Sequence, residues 1–377
     1  MKKIYLDNAA TTPILPEVIE TITNVMATTF GNPSSIHQDG RKAKSLVETA
    51  RKNIAKCLNA GANEIIFTAG GSEADNLILR NAVVNLDVTT IISSKIEHHA
   101  VFHTLNNLVK EFKVNVEWVD IDKNGQIDYL HLETLLQKSS EKKLVSLMYI
   151  NNEIGNLLDL DLVSKLCLDN KALFHSDAVQ GVGHFKMDVQ QTPIDFFAAS
   201  AHKFHGPKGV GFAYIKKGFG IYPILHGGEQ EKGARAGTEN VHSILGMEKA
   251  LTIACENLKE ESTYIQSIKS YLIEQLKSDF DGVEFNGLSE SETKSSYIIL
   301  NVRFPKEYAM LLFNLDLKGI SVSGGSACQS GSNKGSHVLN SILPEEEAMK
   351  TSVRFSFSKF NTKEEIDCVI DVLKGII

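Results

Sequence analysis

Short apolar segments alternate with longer helical segments between residues 60 and 250, and this alternation constrains the fold more than any other feature. Several of the short segments are continuously apolar, which is typical of strands that are covered on both faces of a parallel sheet. The pattern therefore predicts an α/β fold with a mostly parallel sheet flanked by helices. The predicted strands cover residues 64–68, 89–93, 114–119, 144–150, 172–175, 195–199 and 209–215.

The pattern changes towards the C-terminus. A long helical stretch at 244–276 leads into strands predicted at 296–302 and 352–356, with helices around them. This part of the chain predicts a second, smaller α+β domain. The expected division is a large domain at residues 14–255 and a small domain formed by residues 1–13 and 256–377.

Composition excludes several classes of protein. The net charge of −7 indicates no basic surface for nucleic acid. No apolar run approaches the length of a membrane span, and the N-terminal segment lacks the apolar core of a secretory signal. The five cysteines are odd in number and form no CxxC pair, which argues against a disulfide framework and against a thiolate zinc site. We therefore expect a reduced, cytoplasmic protein of enzyme size.

Lys203 follows the predicted strand 195–199 within a turn that contains Gly and Pro. In α/β sheets, ligands bind beyond the carboxyl ends of the strands. A lysine that forms a Schiff base with a carbonyl group needs such a rigid position. The neighbouring Ser200 and His202 could donate hydrogen bonds to a phosphate. An isolated lysine in a turn is more often simply exposed, so the position alone does not decide between the two interpretations.

Two further strand ends carry polar residues that suit a phosphorylated aromatic cofactor. Asp177 could pair with a protonated pyridine nitrogen. Gln180 follows three residues later, so a helix N-cap with a capping box is the alternative. Gly71 and Ser72 precede a predicted helix, whose first N–H groups could bind a phosphate. A plain Ser N-cap is the alternative there.

The histidines after the second predicted strand allow two interpretations. His99 and His103 have the i, i+4 spacing of a helical metal pair. No third ligand follows at a recognised spacing, so we expect no metal. His98 is better placed to lie flat on an aromatic cofactor. A metal hydrolase built on these three histidines is the rival from another class.

Two polar residues could bind a substrate. Asn152 follows the strand predicted at 144–150, although Asn-Asn is also a common turn sequence. Arg354 stands within the apolar strand predicted at 352–356, where a half-buried guanidinium suits a carboxylate. A solvent-facing arginine is the alternative.

Cys328 differs from the other cysteines in its surroundings. Residues 321–336 contain ten Ser or Gly among sixteen, so no apolar face is available for the thiol. An accessible thiol is the setting for reactivity. The other four cysteines stand in helical apolar patterns and are expected to pack as small hydrophobic residues.

In this order along the chain, these segments resemble the cysteine desulfurases of iron–sulfur cluster assembly, which belong to the class-V aminotransferases and to the fold-type I pyridoxal-phosphate enzymes. The resemblance extends over nearly the whole chain. The matching segments are YLDNAATTP (5–13), GNPSS (31–35), EH (97–98), NNEIG (151–155), HGG (226–228), GT (237–238) and GSAC (325–328). Ser72 stands where Thr is common in the family, which keeps the hydroxyl group.

The resemblance implies pyridoxal 5'-phosphate as the cofactor and L-cysteine as the substrate. Sulfur would pass to Cys328 as a persulfide, leaving alanine, and then to an iron–sulfur scaffold or another acceptor in thio-cofactor synthesis. Lys203 would bind the cofactor and remove the α-proton, and His98 would stack on the ring. Asp177 and Gln180 would contact the ring, and the phosphate would be held by Gly71, Ser72, Ser200 and His202. Thr238 would contact the phosphate bound by the partner subunit of a homodimer. Asn152 and Arg354 would bind polar groups of the substrate or cofactor, with Arg354 on the substrate carboxylate.

Three rival functions remain at this point. A selenocysteine lyase or a small-amino-acid aminotransferase would use the same fold and cofactor, but an aminotransferase needs no thiol at Cys328. A metal hydrolase would be colourless, whereas an enzyme with pyridoxal phosphate on a lysine is yellow. A binding or scaffold protein would release no alanine from cysteine.

Overall fold

A computed structural model describes residues 3–324 and 335–377 of the chain. The strands are β1 (Ile4–Tyr5), β2 (Ile65–Thr68), β3 (Thr90–Ser93), β4 (Asn115–Trp118), β5 (Lys143–Ser146), β6 (Leu173–Asp177), β7 (Phe196–Ser200), β8 (Gly211–Ile215), β9 (Glu284–Phe285), β10 (Ile299–Arg303), β11 (Ile320–Ser321) and β12 (Ser352–Ser356). The helices are α1 (Pro16–Thr28), α2 (Gln38–Cys57), α3 (Gly71–Val84), α4 (His99–Phe112), α5 (Tyr129–Gln137), α6 (Leu160–Asp169), α7 (Val241–Asp279), α8 (Leu311–Leu317), α9 (His337–Ile342), α10 (Glu345–Ala348) and α11 (Lys363–Lys374).

The seven strands β2 to β8 form the central sheet, in the order β2-β8-β7-β6-β5-β3-β4. Strand β8 pairs antiparallel with both β2 and β7, and the other four pairs are parallel. The expectation of a mostly parallel sheet flanked by helices is therefore confirmed. Each predicted strand of this region overlaps one strand of the sheet.

Both faces of the central sheet are covered, which explains the continuously apolar strands. Consecutive residues of one strand pack into different hydrophobic cores. Ile91 belongs to one core and Ile92 to the other, and the same division holds for Phe196 and Phe197.

Strand β5 ends earlier than its sequence predicts, at Ser146 rather than at residue 150. The apolar run continues because Leu147 and Ile150 stay buried after the chain leaves the strand. The apolar pattern therefore does not show where the strand ends, because the residues that follow it are also buried. The extra residues lead the chain towards Asn152.

A separate three-stranded antiparallel sheet has the order β12-β10-β9. It packs in its own hydrophobic core with α11 and the C-terminal half of α7, and this core also includes Ile4 and Leu6 of the N-terminal segment. Strand β1 pairs in parallel with β11. The predicted domain bounds stay a prediction. Of the helices in the described part of the chain, none combines the length and apolar character that a membrane span requires.

Candidate active site

The carboxyl ends of the parallel strands surround a cavity of about 240 Å³. It is lined by ten of the twelve predicted site residues: Gly71, Ser72, His98, Asn152, Asp177, Gln180, Ser200, His202, Lys203 and Arg354. These residues come from five strand ends of the central sheet and from β12 of the second sheet. The structure thus brings distant parts of the sequence to one place.

Lys203 ends a short 3-10 helix, Ala201–Lys203, that directly follows β7. Its Nζ donates hydrogen bonds to the carbonyl oxygens of Ala9 and Ala10, at 2.6 and 2.9 Å. The backbone carbonyl of Lys203 lies 2.8 Å from Nε2 of His184. The lysine amine is therefore held at the cavity wall from a strand end.

The N-terminus of α3 forms one end of the cavity. The helix begins at Gly71 and its N-cap is Gly70, so Ser72 lies inside the first turn and the alternative of a Ser N-cap is wrong. The first N–H groups of a helix have no acceptor within it and attract anions. A Cβ added to Gly71 would lie 2.4 Å from Cγ2 of Val179, so only glycine allows this close approach.

Ser200 and His202 approach the same end of the cavity from β7. Ser200 Oγ would be 3.5 Å from a Cβ added at Gly70, which places the hydroxyl beside the start of α3. Burial, with a smaller contribution from the charges of Lys203 and Lys208, lowers the pKa of His202 to about 4. The imidazole is therefore neutral at pH 7, and its Nδ1 lies 3.2 Å from Oγ1 of Thr11.

Asp177 is the last residue of β6 and is buried. Turns follow it rather than a helix, so the alternative of a helix N-cap is wrong. Its Oδ1 accepts a hydrogen bond from the N–H of Val179 at 3.0 Å. Gln180 donates from Nε2 to the carbonyl oxygen of Ala9 at 2.9 Å.

His98 is the N-cap of α4, where its Nδ1 accepts a hydrogen bond from the N–H of Ala100 at 3.2 Å. Burial lowers its pKa; Asp177 opposes this shift, and Lys203 adds to it. The ring is therefore neutral at pH 7. The His99 and His103 rings stack at 4.9 Å between centroids. Among the described residues, no group of three His, Cys, Asp or Glu is arranged to hold a metal ion.

Arg354 is 1% exposed, so the alternative of a solvent-facing arginine is wrong. Its Nη1 donates to the carbonyl oxygen of Asn152 at 2.7 Å, and its Nη2 lies 2.9 Å from Oδ1 of Asp7. Its Nε–H has no hydrogen-bond partner within the described residues. The guanidinium is therefore oriented by protein groups at the cavity, and its Nε–H keeps unused donor capacity.

The sequence profile of the class-V aminotransferases matches residues 4–369. The chain belongs to the class-V aminotransferase family. It is 40% identical over 381 residues to a "Cysteine desulfurase IscS" of Dictyoglomus turgidum, covering 100% of this chain and 95% of the relative. A protein of the same name from Clostridium botulinum is 42% identical, with 100% and 94% covered.

Solved structures agree with this assignment. A "NIFS-LIKE PROTEIN" superposes with a TM-score of 0.90 at 34% identity, covering 100% of this chain and 99% of the other. The NifS-like protein from Rickettsia africae gives a TM-score of 0.89 at 34% identity, with the same coverage. This class-V aminotransferase is a cysteine desulfurase, and its cofactor is pyridoxal phosphate.

The residues of the cavity fit that cofactor. Gly71 has no side chain in the way of a phosphate, and the first N–H groups of α3 could donate hydrogen bonds to it. The amine of Lys203 could bond to an aldehyde carbon. Buried Asp177 offers an acceptor for a ring nitrogen. The donors and acceptors therefore match the polar groups of pyridoxal phosphate.

Sequence reasoning missed several residues that line the cavity of this desulfurase. Asp75, Glu153 and His337 carry titratable groups there. Asp75 lies within α3 at a helical spacing from other buried residues, so its position could have been read as part of the buried face. His337 is the first residue of α9, and nothing in its local sequence marks it.

Cys328 lies outside the described residues, but the residues on either side of 325–334 are described. Ser323 Oγ donates to Oδ1 of Asp7 at 2.8 Å, and Asp7 pairs with Arg354. Ser336 Oγ donates to Oε2 of Glu153. The described residues Ser323 and Ser336, on either side of that segment, therefore contact residues that line or support the cavity.

Thr238 does not line this cavity. It is exposed and lies on a separate cavity of about 200 Å³, together with Phe67, Gly209 and Arg235. Its predicted contact from a partner subunit stays a prediction.

The expectation that four cysteines pack as small hydrophobic residues is only partly correct. Cys167 is buried and Cys57 is half-buried, whereas Cys255 and Cys368 are exposed. The long α7 and the terminal α11 each keep one face in solvent, and these two residues lie there, although the Cys255 thiol also contacts that of Cys57. They provide natural comparisons for Cys328.

Proposed function

We propose that this cavity is the desulfurase centre and that Cys328 receives the sulfur of L-cysteine as a persulfide. The convergence of ten predicted site residues on one cavity is the observation that carries the proposal. The contacts of Ser323 and Ser336, which flank residues 325–334, with residues that line or support that cavity are in keeping with the role of Cys328. The sequence similarity to cysteine desulfurases supports the reaction.

The proposed cofactor contacts follow from the positions of the side chains. Gly71, Ser72, Ser200 and His202 hold the phosphate at the start of α3. Pyridoxal phosphate, when bound, supplies an electron-accepting ring that weakens the bonds at the substrate α-carbon and the bond to sulfur. Further ring contacts are assigned to His98 on the face, Asp177 at the nitrogen, Gln180 at the phenolic oxygen and Asn152 at polar groups.

Proton transfer is assigned to Lys203 and His98. Lys203 Nζ is held at the cavity wall and is the proposed acceptor of the substrate α-proton. His98 is held neutral by its burial and keeps one ring proton, which suits an acid–base role. Because its Nδ1 accepts a hydrogen bond from α4, Nε2 carries that proton and is the nitrogen proposed to donate it.

The sulfur transfer balances without an added oxidant. The Cys328 thiolate attacks the substrate sulfur, an S–S bond forms, and the Cβ–S bond breaks. The electron pair of that bond stays on the substrate carbon, which takes up a proton to give alanine. The products are alanine and a persulfide on Cys328.

Arg354 is the proposed partner of the substrate carboxylate, and its replacement tests the function and this role together. Wild-type protein is expected to release alanine and sulfide from L-cysteine under reductant. Arg354→Lys keeps the charge but loses the planar fork, so KM is expected to rise by about tenfold or more. Steady-state alanine release gives KM and kcat separately.

Asp7→Asn is the control for this test, because it removes the charge that pairs with Arg354 while the guanidinium remains. Its KM is expected to change less than that of Arg354→Lys. An unchanged KM in folded Arg354→Lys would remove the carboxylate role, and no alanine from the wild type would refute the proposed function.

We further propose a homodimer in which Thr238 contacts the phosphate bound by the partner subunit. Thr238→Asp would place a negative charge beside that phosphate and is expected to prevent cofactor binding. Dimers mixed from Thr238→Asp and Lys203→Ala chains then have one intact site, if Thr238 acts across the interface. Each mixed dimer is then expected to have about half the activity of a wild-type dimer.

The same mixture distinguishes the alternative arrangement. If Thr238 served its own chain's cavity, each site of the mixed dimer would carry one defect and no activity would return. A fully active monomer would also contradict the proposal.

The proposed acceptor of the persulfide sulfur is an iron–sulfur scaffold protein or another thiol carrier. The proposed compartment is the cytoplasm, where cysteines remain reduced. The four described cysteines are all free, which fits such a compartment. Trapping of mixed complexes with Cys328 persulfide, followed by mass spectrometry, identifies the acceptor.

A further inference from the structure

Asp75, which lines the cavity, and His175 form a buried acid–base pair. The proposed mechanism does not use this pair. Asp75 on α3 is 1% exposed, and His175 in β6 is 0% exposed. Nε2 of His175 lies 3.4 Å from Oδ1 of Asp75. Within the described residues, neither this nitrogen nor either carboxylate oxygen of Asp75 has a hydrogen-bond partner. A single proton between Nε2 of His175 and Oδ1 of Asp75 would give each of these two atoms a hydrogen-bond partner.

The other side of His175 is fixed. Its Nδ1 lies 2.9 Å from Oγ of Ser146 on the adjacent strand β5. Burial lowers the pKa of His175 to about 3, so the imidazole carries one proton. When that proton is on Nδ1 and is donated to Ser146, Nε2 keeps a lone pair that can accept a proton from Asp75, whose Oδ1 lies 3.4 Å away.

Asp75 faces other acidic groups. Asp177 lies two residues after His175 on β6, so their side chains extend on the same side of the sheet. Both Asp75 and Asp177 line the cavity. Burial raises the pKa of Asp75 well above its usual value, and the charges of Asp177 and Glu97 raise it further. Both influences favour the protonated form of Asp75.

We propose that Asp75 and His175 share one proton as a pair of zero net charge, which leaves the negative charge of this part of the cavity on Asp177. This inference rests on the proposed contact between Asp177 and the ring nitrogen. Proton transfer within the pair breaks an O–H bond and forms an N–H bond, and the net charge remains zero. Asp75 is thus a positioning residue that acts on the cofactor through Asp177.

The physical reason is the cost of a second buried charge. An ionised Asp75 would place a second buried carboxylate near that of Asp177, which is strongly unfavourable. An ionised Asp75 would then compete with the Asp177 carboxylate for the proton of the ring nitrogen, and the contact of Asp177 with that nitrogen would weaken. A neutral Asp75–His175 pair avoids this competition.

Infrared spectroscopy of the apo-enzyme tests the protonation of Asp75 without the cofactor. At neutral pH, the wild type is expected to show a protonated-carboxyl C=O band that Asp75→Asn loses. Glu97→Gln is the matched control, because Glu97 is also buried and burial raises its pKa to about 8. The Asp75 band is expected to remain in Glu97→Gln. If Asp75→Asn and the wild type have the same carboxyl bands, the inference is wrong.

Cofactor affinity tests the effect on Asp177. Equilibrium dialysis of pyridoxal phosphate against apo-enzyme is expected to show a Kd that rises by up to about tenfold per pH unit once Asp75 ionises. Asn at position 75 cannot ionise, so Asp75→Asn is expected to lack this rise, whereas Glu97→Gln keeps it. The groups that face the pair are Asp177, Glu97 and Ser146. A rise that persists in Asp75→Asn would overturn the proposal.

Asp177→Asn distinguishes a failure of the proposed role of Asp177 from a failure of the inference about Asp75 and His175. If this variant binds the cofactor as the wild type does, the proposed role of Asp177 fails, whatever the infrared result. If Asp177→Asn loses affinity but the Asp75 band is absent from the wild type, only the further inference fails. A purely structural role of Asp75 would lower the thermal stability of Asp75→Asn without changing the pH profile of cofactor binding.

Discussion

Cys328→Ala is expected to form alanine from L-cysteine at least about a hundredfold more slowly than the wild type, because no thiolate remains to attack the substrate sulfur. The loss is expected in kcat. Cofactor binding is expected to persist, since the proposed phosphate and ring contacts come from other residues of the cavity. Alanine release under reductant is measured at matched cofactor occupancy.

The exposed thiols Cys255 and Cys368 provide matched controls for this experiment. Cys255→Ala and Cys368→Ala each remove one accessible thiol from a helix and are expected to keep wild-type turnover. Near-normal alanine formation by Cys328→Ala would remove Cys328 from the mechanism. That outcome would favour a lyase of the selenocysteine type, which needs no thiol acceptor.

Lys203→Ala is expected to lower the rate of alanine formation by about a thousandfold or more, since it removes both the covalent anchor and the proposed base. Among the described residues that line the cavity, Lys203 is the one lysine, and its Nζ is held by the carbonyl oxygens of Ala9 and Ala10. Pyridoxal phosphate is still expected to bind through its phosphate. Borohydride reduction is expected to fix the cofactor to wild-type protein at Lys203 and to fail in the variant.

Lys208→Ala is the control, because Lys208 is exposed and lies only five residues later. It is expected to retain cofactor fixation and turnover. A reduced adduct that maps to Lys208, or to no lysine, would contradict the assignment of Lys203.

The central sheet could be predicted from the sequence because its strands are buried on both faces. A continuous apolar run then marks each strand, and the helical segments between runs mark the crossovers. The end of β5 could not be located in this way. Leu147 and Ile150 are buried outside the strand, and an apolar pattern reports burial rather than hydrogen bonding.

Site residues could be predicted where they follow strands. Lys203 and Asp177 stand at strand ends of a parallel sheet, where ligands bind. Their local alternatives could not be decided from the sequence, because a cap or a turn uses the same residue types. The structure decides the cap alternatives for Asp177 and for Ser72, since no helix follows Asp177 and Ser72 lies inside α3.

Asp75 and His337 could not be predicted because their roles depend on distant contacts. Asp75 meets His175 across the interface between α3 and the sheet, a hundred positions away. Its neighbours in sequence show only a helix with a buried face. His337 is placed by a hydrogen bond between Nε2 and the carbonyl oxygen of Glu97 at 2.9 Å. Such pairings follow from tertiary packing rather than from local pattern.

The most direct test of the central claim is to identify the atom that receives the sulfur. Holoenzyme is mixed with a limiting amount of L-cysteine without reductant, alkylated rapidly, digested and analysed by mass spectrometry. The account predicts one persulfide adduct, on the peptide that contains Cys328, formed in step with one alanine. Alanine formation with no adduct on Cys328, or with the adduct on Cys57, Cys167, Cys255 or Cys368 instead, would contradict it.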